Sequence, residues 1–369
     1  MSNQIAAISN EQSSFSIVTP SFNQLDWLRL CVASVRDQVA DESTDERPAT
    51  SDLPRPSAFG PRLSSTLRVE HIIQDAGTPG IEDFAREVGA DFYREGKLIF
   101  ASAMSSDERR ATSAVSPSTL DSHPSLLQSS PRSSTLDPRP YRLAVHCESD
   151  SGMYDAINRG LRRSSGDVCA WLNCDEQYLP GALATASAWL GSHPRIDILC
   201  GDIVVTDPDG KYLCSRTALA PQRLHTLISG NLSFLSAATF FRRRLVEAGH
   251  YLPDEWKVVG DAAWAERLIS KGVRFGTVRK YLAAFADTGE NLSVNALATH
   301  EKGKLAKQAP VWALRMRGLI INHFRLRKYF SGAYRLKPFS YSVYTHASGS
   351  HRMEHTVGHP TQLWPGRIR

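Results

Sequence analysis

The chain has 369 residues, 41% of them hydrophobic, enough to bury a core in one large domain or two small ones. Its 43 Lys and Arg against 38 Asp and Glu leave a formal charge of +5, too mild and scattered to argue for nucleic acid, while acidic substrates stay open. Six cysteines without a CxxC pair, no opening signal-peptide pattern and no run of ~18 apolar residues point to a reduced, cytoplasmic protein without a membrane span, so the Asn-Leu-Ser sequons at Asn231 and Asn291 read as chance matches.

FSIVTPSF, from Phe15, is an apolar run closed by Pro20 and a polar cluster, and LDWLRLCVASVRDQ follows with apolar residues at helical spacing. The strand, turn and helix repeat in VEHIIQD from Val69, the turn after Asp75, and IEDFAREVG. A third strand, YRLAVHCESD, leads into a helix at MYDAINRGLRRSSG, capped by Gly166. DVCAWLNCDE supplies a fourth strand before a helix at GALATASAWLGSH. Strands alternating with helices predict an α/β fold with a mostly parallel central sheet, in which ligands bind beyond the carboxyl ends of the strands.

Residues 40–68 and 104–140 interrupt this rhythm with Ser, Pro, Thr and Arg and read as disordered insertions, because segments so poor in apolar side chains cannot offset the entropy of ordering. Past Ser293, PVWALRMRGLIINHFRLRKYF mixes apolar residues with Arg and Lys at roughly helical spacing. Such a helix either lies on an anionic membrane surface or packs on the domain with its basic side in water. The expected organisation is therefore a domain over 15–293 and a basic helical extension with a flexible tail over 294–369.

Asn173, Cys174, Asp175 and Glu176 stand where a buried strand leaves the sheet, and charges at the end of an apolar run need a partner. Mg²⁺ or Mn²⁺ is one such partner, held by one or two carboxylates while a substrate diphosphate fills further positions. The plainer alternative is that the two acids cap the helix after Pro180.

FSIVTPSFNQ, EHIIQDAGTPG, ESDSGMYDAINRGL, SSGDVCAWLNCDEQYLPGAL and GDAAWAERL, in this order and spacing once the insertions are removed, resemble family 2 glycosyltransferases. These are inverting nucleotide-sugar enzymes of the GT-A fold, and the similarity is greatest to bacterial types that build surface polysaccharides. The resemblance implies that Pro20 and Phe22 hold the nucleobase and that Asp75 reads uracil. It implies that Asn173 and Asp175 occupy the outer positions of the Asp-x-Asp motif, with Asp175 the metal ligand and Glu176 the next acid along. Asp155 and Asn158, one helical turn apart, become sugar or phosphate contacts, the alternative being a polar helix face that caps neighbouring turns.

Inversion also needs a base for the acceptor hydroxyl. Asp261 is the candidate, with Trp264 and Arg267 following on one helical face as in the family's acid, aromatic and Arg pattern; an N-cap Asp without chemistry is its alternative. Relatives often carry a His where this chain has Thr288. The function expected is transfer of a sugar, from a donor expected to be uridine-linked, to a saccharide or lipid-linked acceptor in surface polysaccharide synthesis. A nucleotide-sugar-binding protein without turnover is the alternative. A zinc peptidase is a remote one, resting on HRMEH, whose His351, Glu354 and His355 match H-x-x-E-H but lie among SGS and Gly-Pro neighbours. The early TPSFN lacks the Gly-rich phosphate loop of sugar-phosphate nucleotidyltransferases.

Overall fold

The computed structural model describes residues 13–39, 67–102, 139–289 and 296–365. The two insertions, apart from their edges, lie outside the described residues, as do Asn291 and the boundary at Ser293.

The chain opens with β1 (Ser14–Ser21) and α1 (Leu25–Arg36), and β2 (Arg68–Asp75) with α2 (Ile81–Glu87) repeats the unit. A hairpin of β3 (Asp91–Arg94) and β4 (Lys97–Phe100) precedes β5 (Tyr141–Cys147), α3 (Met153–Arg163) and β6 (Val168–Trp171). Next come β7 (Glu176–Tyr178), α4 (Ala182–Ser192), β8 (Ile198–Thr206), β9 (Tyr212–Arg216) and α5 (Arg223–Ser229). After β10 (Thr239–Arg242) and α6 (Arg244–Glu247), α7 (Gly260–Ser270) leads into β11 (Phe275–Ala286). The last part holds α8 (Ala296–Ala306), α9 (Val311–Arg315), α10 (Arg317–Phe330), β12 (Phe339–Val343) and β13 (Met353–Val357).

The central sheet runs β4-β3-β5-β2-β1-β6-β10-β8-β11-β7, with β9 beside β8. It is parallel from β3 through β6 and again between β8 and β11, while β10 and β7 are antiparallel insertions beside the site. Strand periodicity sorts the core into two layers. Val18, Cys169, Trp171, Ile198 and Cys200 face α3, α5 and α7, whereas Ile17, Val168, Ala170 and Leu199 face α1 and α4. Gly160 lets α3 lie on β1, since a Cβ there would stand 2.4 Å from Val18 Cγ1. Gly166 does not cap α3, which ends at Ser164; it sits against the Phe15 backbone, 2.6 Å from where its own Cβ would be.

The C-terminal residues depart most from expectation. The basic stretch is two helices, α9 and α10, and the tail expected to be flexible folds as the β12-β13 hairpin. Tyr341, Val343 and Val357 bury against Leu179, Val204 and Ala284. Arg352 ties the hairpin to the first helix: its guanidinium donates to Asp37 at 2.6 and 3.0 Å and to the Tyr178 carbonyl at 2.8 Å. The H-x-x-E-H match falls in this hairpin, where His355 pairs with Tyr341. At ~3.3 Å per residue an extended segment holds positions i and i+4 too far apart to share one metal, so the peptidase reading fails.

Candidate functional site

A cavity of about 1350 Å³ opens at the carboxyl ends of β1 and β6. It collects Pro20, Phe22, Asn173, Asp175, Glu176, Asp261 and Thr288. After β6 the chain turns through Asn173, Cys174 and Asp175 and returns as β7, which pairs with the end of β11. Neither acid caps the following helix, whose N-cap is Gly181 without a side-chain bond. Burial, and then repulsion from Asp287, push the Asp175 carboxyl above the usual carboxylate range. Glu176 is raised further by burial and by Asp175, but its carboxylate is turned inward and accepts the Asn173 N–H at 2.8 Å. Glu176 therefore closes the turn from within, and Asp287, which sequence reasoning did not single out, is the acid whose charge acts on Asp175.

Asp287 directly precedes Thr288, the position where the expected His is missing, and an acid beside that gap was the available signal. Its Oδ2 accepts the Trp364 indole N–H at 2.5 Å. Asn173 Oδ1 is buried with no hydrogen-bond partner. An unsatisfied amide oxygen and the Asp175 carboxylate in one pocket, with Asp287 near enough to repel that carboxylate, are oxygen donors suited to a hard divalent cation. Among the described residues no three His, Cys, Asp or Glu side chains form a ready-made cage, so a bound ion would complete its shell with ligand oxygens.

Asp261 lies in the first turn of α7, behind Val259 as N-cap, and its Oδ1 accepts the Ala262 N–H at 2.8 Å. Burial pushes its pKa up to about 6, against the opposing pull of that bond and of Lys302. Three contacts fix its place. Tyr154 donates to the Val258 carbonyl at 2.9 Å, and Gly260 permits the approach of that ring, which would stand 2.5 Å from a Cβ. Glu301 of α8, buried, accepts the N–H groups of Lys257, Val258 and Val259 at 2.8, 2.9 and 3.0 Å. Trp264 packs edge-on against Trp171 and donates to the His250 carbonyl, while Arg267 stays at the surface near Glu255.

The structure does not bring the other expected contacts into the cavity. Asp75 is fully buried: one oxygen accepts the Gly77 and Thr78 N–H groups at 2.8 and 2.7 Å, and the other accepts the Thr78 hydroxyl. It shapes the loop whose Ala76 lines the cavity. Asn158 faces away, exchanging both amide bonds with the Leu252 backbone at 2.7 and 2.9 Å. Asp155 accepts the Ser151 N–H and pairs with Arg159 at 3.0 Å, the local capping alternative. In the same motif, Asp150 lines the cavity instead, its pKa raised by burial and by Asp155 while it accepts the Gly152 N–H.

Residues 142–247 match the family model described as Glycosyl transferase family 2. A "PGL/p-HBAD biosynthesis glycosyltransferase" of Mycobacterium bovis is 35% identical over 72 residues, 19% of this chain and 28% of that protein. The "Amylovoran biosynthesis glycosyltransferase AmsE" of Erwinia amylovora is 26% identical over 108 residues, 29% of this chain and 41% of its own length. The chain thus spans less than half the length of the curated relatives it matches. The crystal structure of S. aureus TarS 1-349 in complex with UDP-GlcNAc superposes with a TM-score of 0.45 at 13% identity, over 86% of this chain and 73% of that one. The matched segment holds α3, the Asn173–Asp175 turn and the strands that carry it, and it is this part of the chain that is similar to glycosyl transferase family 2.

Proposed function

We propose that the chain is an inverting glycosyltransferase that moves a sugar from a nucleotide-sugar donor, most simply a uridine diphosphate sugar, to a saccharide or lipid-linked acceptor of a surface polysaccharide. One observation carries this reading: Asp261, with its pKa at about 6, lines the same cavity as the Asn173–Asp175 turn. A carboxylate of that pKa is ionised near neutrality yet basic enough to take the proton of an attacking hydroxyl. A single base suffices for inversion, and the buried loop bonds from Glu301 keep it from drifting. Pro20 and Phe22 form the lip where a base would stack, and Asp75 acts on that lip through the shape of its loop.

Asp175 and Asp287, with the Asn173 amide oxygen, are the residues that would hold Mg²⁺ or Mn²⁺. A bound divalent ion supplies charge neutralisation for the departing diphosphate. A donor-binding protein without turnover would share the Asn173–Asp175 turn, but it gives no account of a second carboxylate, Asp261, lining the same cavity with a raised pKa. No helix of the described residues is long and apolar enough to cross a membrane. Yet α9 and α10 expose Val311, Trp312, Leu319, Leu326, Tyr329 and Phe330, and no Asp or Glu occurs between Lys302 and Met353. That combination supports peripheral contact with an anionic bilayer, from which a lipid-linked acceptor could reach the cavity.

Calorimetry with UDP and with GDP, each with and without Mn²⁺, tests the donor reading. Metal-dependent binding of UDP is expected, and absence of binding by either nucleotide would overturn it.

A further inference from the structure

The cavity has a second wall that the donor and base assignments leave unused. It is built by the end of β9, by α5 and by α10, and it presents Arg216, His225 and Lys328. No carboxylate pairs with Arg216 or Lys328 among the described residues; Arg216 stacks over Trp364 at 5.9 Å, and the Lys328 ammonium lies 5.1 Å from the Tyr334 ring. Burial, then the nearby Arg216 and Arg279 guanidiniums, push the Lys328 pKa down to about 8. Of these cations Arg279 has a partner, Asp202 at 3.4 Å. His225 lies flat on Phe324 at 3.7 Å, and its Nδ1 is buried without a hydrogen-bond partner. Two crowded cations and an unsatisfied ring nitrogen on one cavity wall are unfavourable until an anion arrives.

We propose that Arg216 and Lys328, with His225 beside them, form a subsite for a phosphoryl group inside the transfer cavity. Planar Arg and a point-charge Lys are the usual pair for such oxygens. The inference rests on the glycosyl-transfer reading in one respect, the source of the anion: the diphosphate of the donor, or a phosphate carried by the acceptor. Trp364 gives the first source a route, since it touches both Arg216 and Asp287. The second source follows from α10 itself, whose Phe324 and Lys328 line the cavity while Leu326, Tyr329 and Phe330 face outward.

The test titrates the full chain, Arg216→Gln and Lys328→Gln with UDP plus Mn²⁺, and then titrates inorganic pyrophosphate into each protein saturated with UDP and Mn²⁺. Loss of one charge-assisted contact should raise the affected Kd about tenfold or more. A rise for UDP assigns the subsite to the donor; UDP within twofold and a rise for pyrophosphate assign it to an acceptor phosphate. Unchanged affinities for both anions in both variants overturn the subsite, as does a wild-type chain that binds UDP but no pyrophosphate while the variants keep UDP. If the wild-type chain binds pyrophosphate but no UDP, and the variants lose pyrophosphate, the subsite stands and the donor reading falls. Lys328→Gln should also melt above wild type without anion, because it removes one crowded cation; a lower melting temperature would count against the uncompensated charge.

Discussion

Glu301→Ala removes the carboxylate that holds the loop ahead of the proposed base. Three backbone N–H groups, those of Lys257, Val258 and Val259, donate to it at 2.8 to 3.0 Å, and the residue is 6% exposed. Hydrogen bonds to a charged group contribute about 1.5–3 kcal/mol each, and a buried donor left unpaired costs a similar amount. Three of them do not add fully, because an alanine leaves room for water to reach some of the donors. A loss of about 3–5 kcal/mol follows, a large part of the ~5–15 kcal/mol that holds an ordinary domain together. Glu301→Gln should lose about 2 kcal/mol, since its amide oxygen still accepts while its NH₂ opposes one donor. Urea unfolding reads the stability, and amide exchange across 257–259 reads the loop. A loss under about 1 kcal/mol for Glu301→Ala, with exchange protection at 257–259 retained, would refute the view that this carboxylate fixes the loop.

Asp261→Asn should abolish transfer while UDP affinity stays within a few-fold, and loss of nucleotide binding instead would mark Asp261 as structural. Because the Asp261 pKa is raised in the folded chain, ionisation opposes folding. The cost is absent below the ordinary carboxylate pKa and grows until pH passes about 6, so the Asn variant should melt above wild type at pH 8 and lose that advantage near pH 4, by calorimetric scans. Wild-type turnover should rise with pH through about 6 and level off, and a flat rate across that range would exclude Asp261 as the base. Asp175→Ala and Asp287→Ala should each remove the Mn²⁺ dependence of UDP binding, and in wild type Mn²⁺ should bind more tightly as pH rises, because the raised Asp175 carboxyl must release its proton. Asn158→Ala should destabilise by about 2 kcal/mol with UDP affinity unchanged, since its amide serves the Leu252 backbone. Vesicles with anionic lipid should carry the chain upward in a flotation gradient, and replacing Trp312, Leu319 and Phe330 by Ser should release it; flotation of that variant would remove α9 and α10 from the contact.

The strand and helix order was legible because each unit is short and strongly patterned, as FSIVTPSF and LDWLRLCVASVR show. The Asn173–Asp175 turn and Asp261 were legible through motif spacing, which places acids at the ends of elements. Motif membership could not say which way a side chain points, and so Asn158 and Asp155, at helical spacing to face one edge, turn to Leu252 and Arg159. Asp287 was hidden because it lies more than a hundred positions from Asp175 in the chain, and the pairing of β11 with β7 brings it close enough to repel that acid. The hairpin was hidden for a similar reason: SGSHRMEHTVGHP has weak alternation, and its order comes from distant partners such as Asp37 and Leu179 rather than from local preference.

The Arg352 clasp has a bearing on how the chain comes to fold. Arg352 and Asp37 are 315 positions apart, and Tyr344 exchanges two hydrogen bonds with Gln177, the residue after Glu176 in β7. During synthesis at ~5–20 residues per second, the acid-bearing strand therefore waits about 8–35 seconds for the segment that braces it. Until then β7 rests on α1, where the Tyr178 N–H donates to Ser34 Oγ at 3.1 Å, on the Tyr178–Phe240 stack and on its pairing with β11, whose contacts of long sequence separation form late. A nascent chain arrested before residue 339 can thus assemble β1 through β11, with the turn that Glu176 closes in place but without the bonds that the hairpin adds to Gln177, Tyr178 and Asp37, so the last segment made tightens the acid-bearing strand rather than forming it.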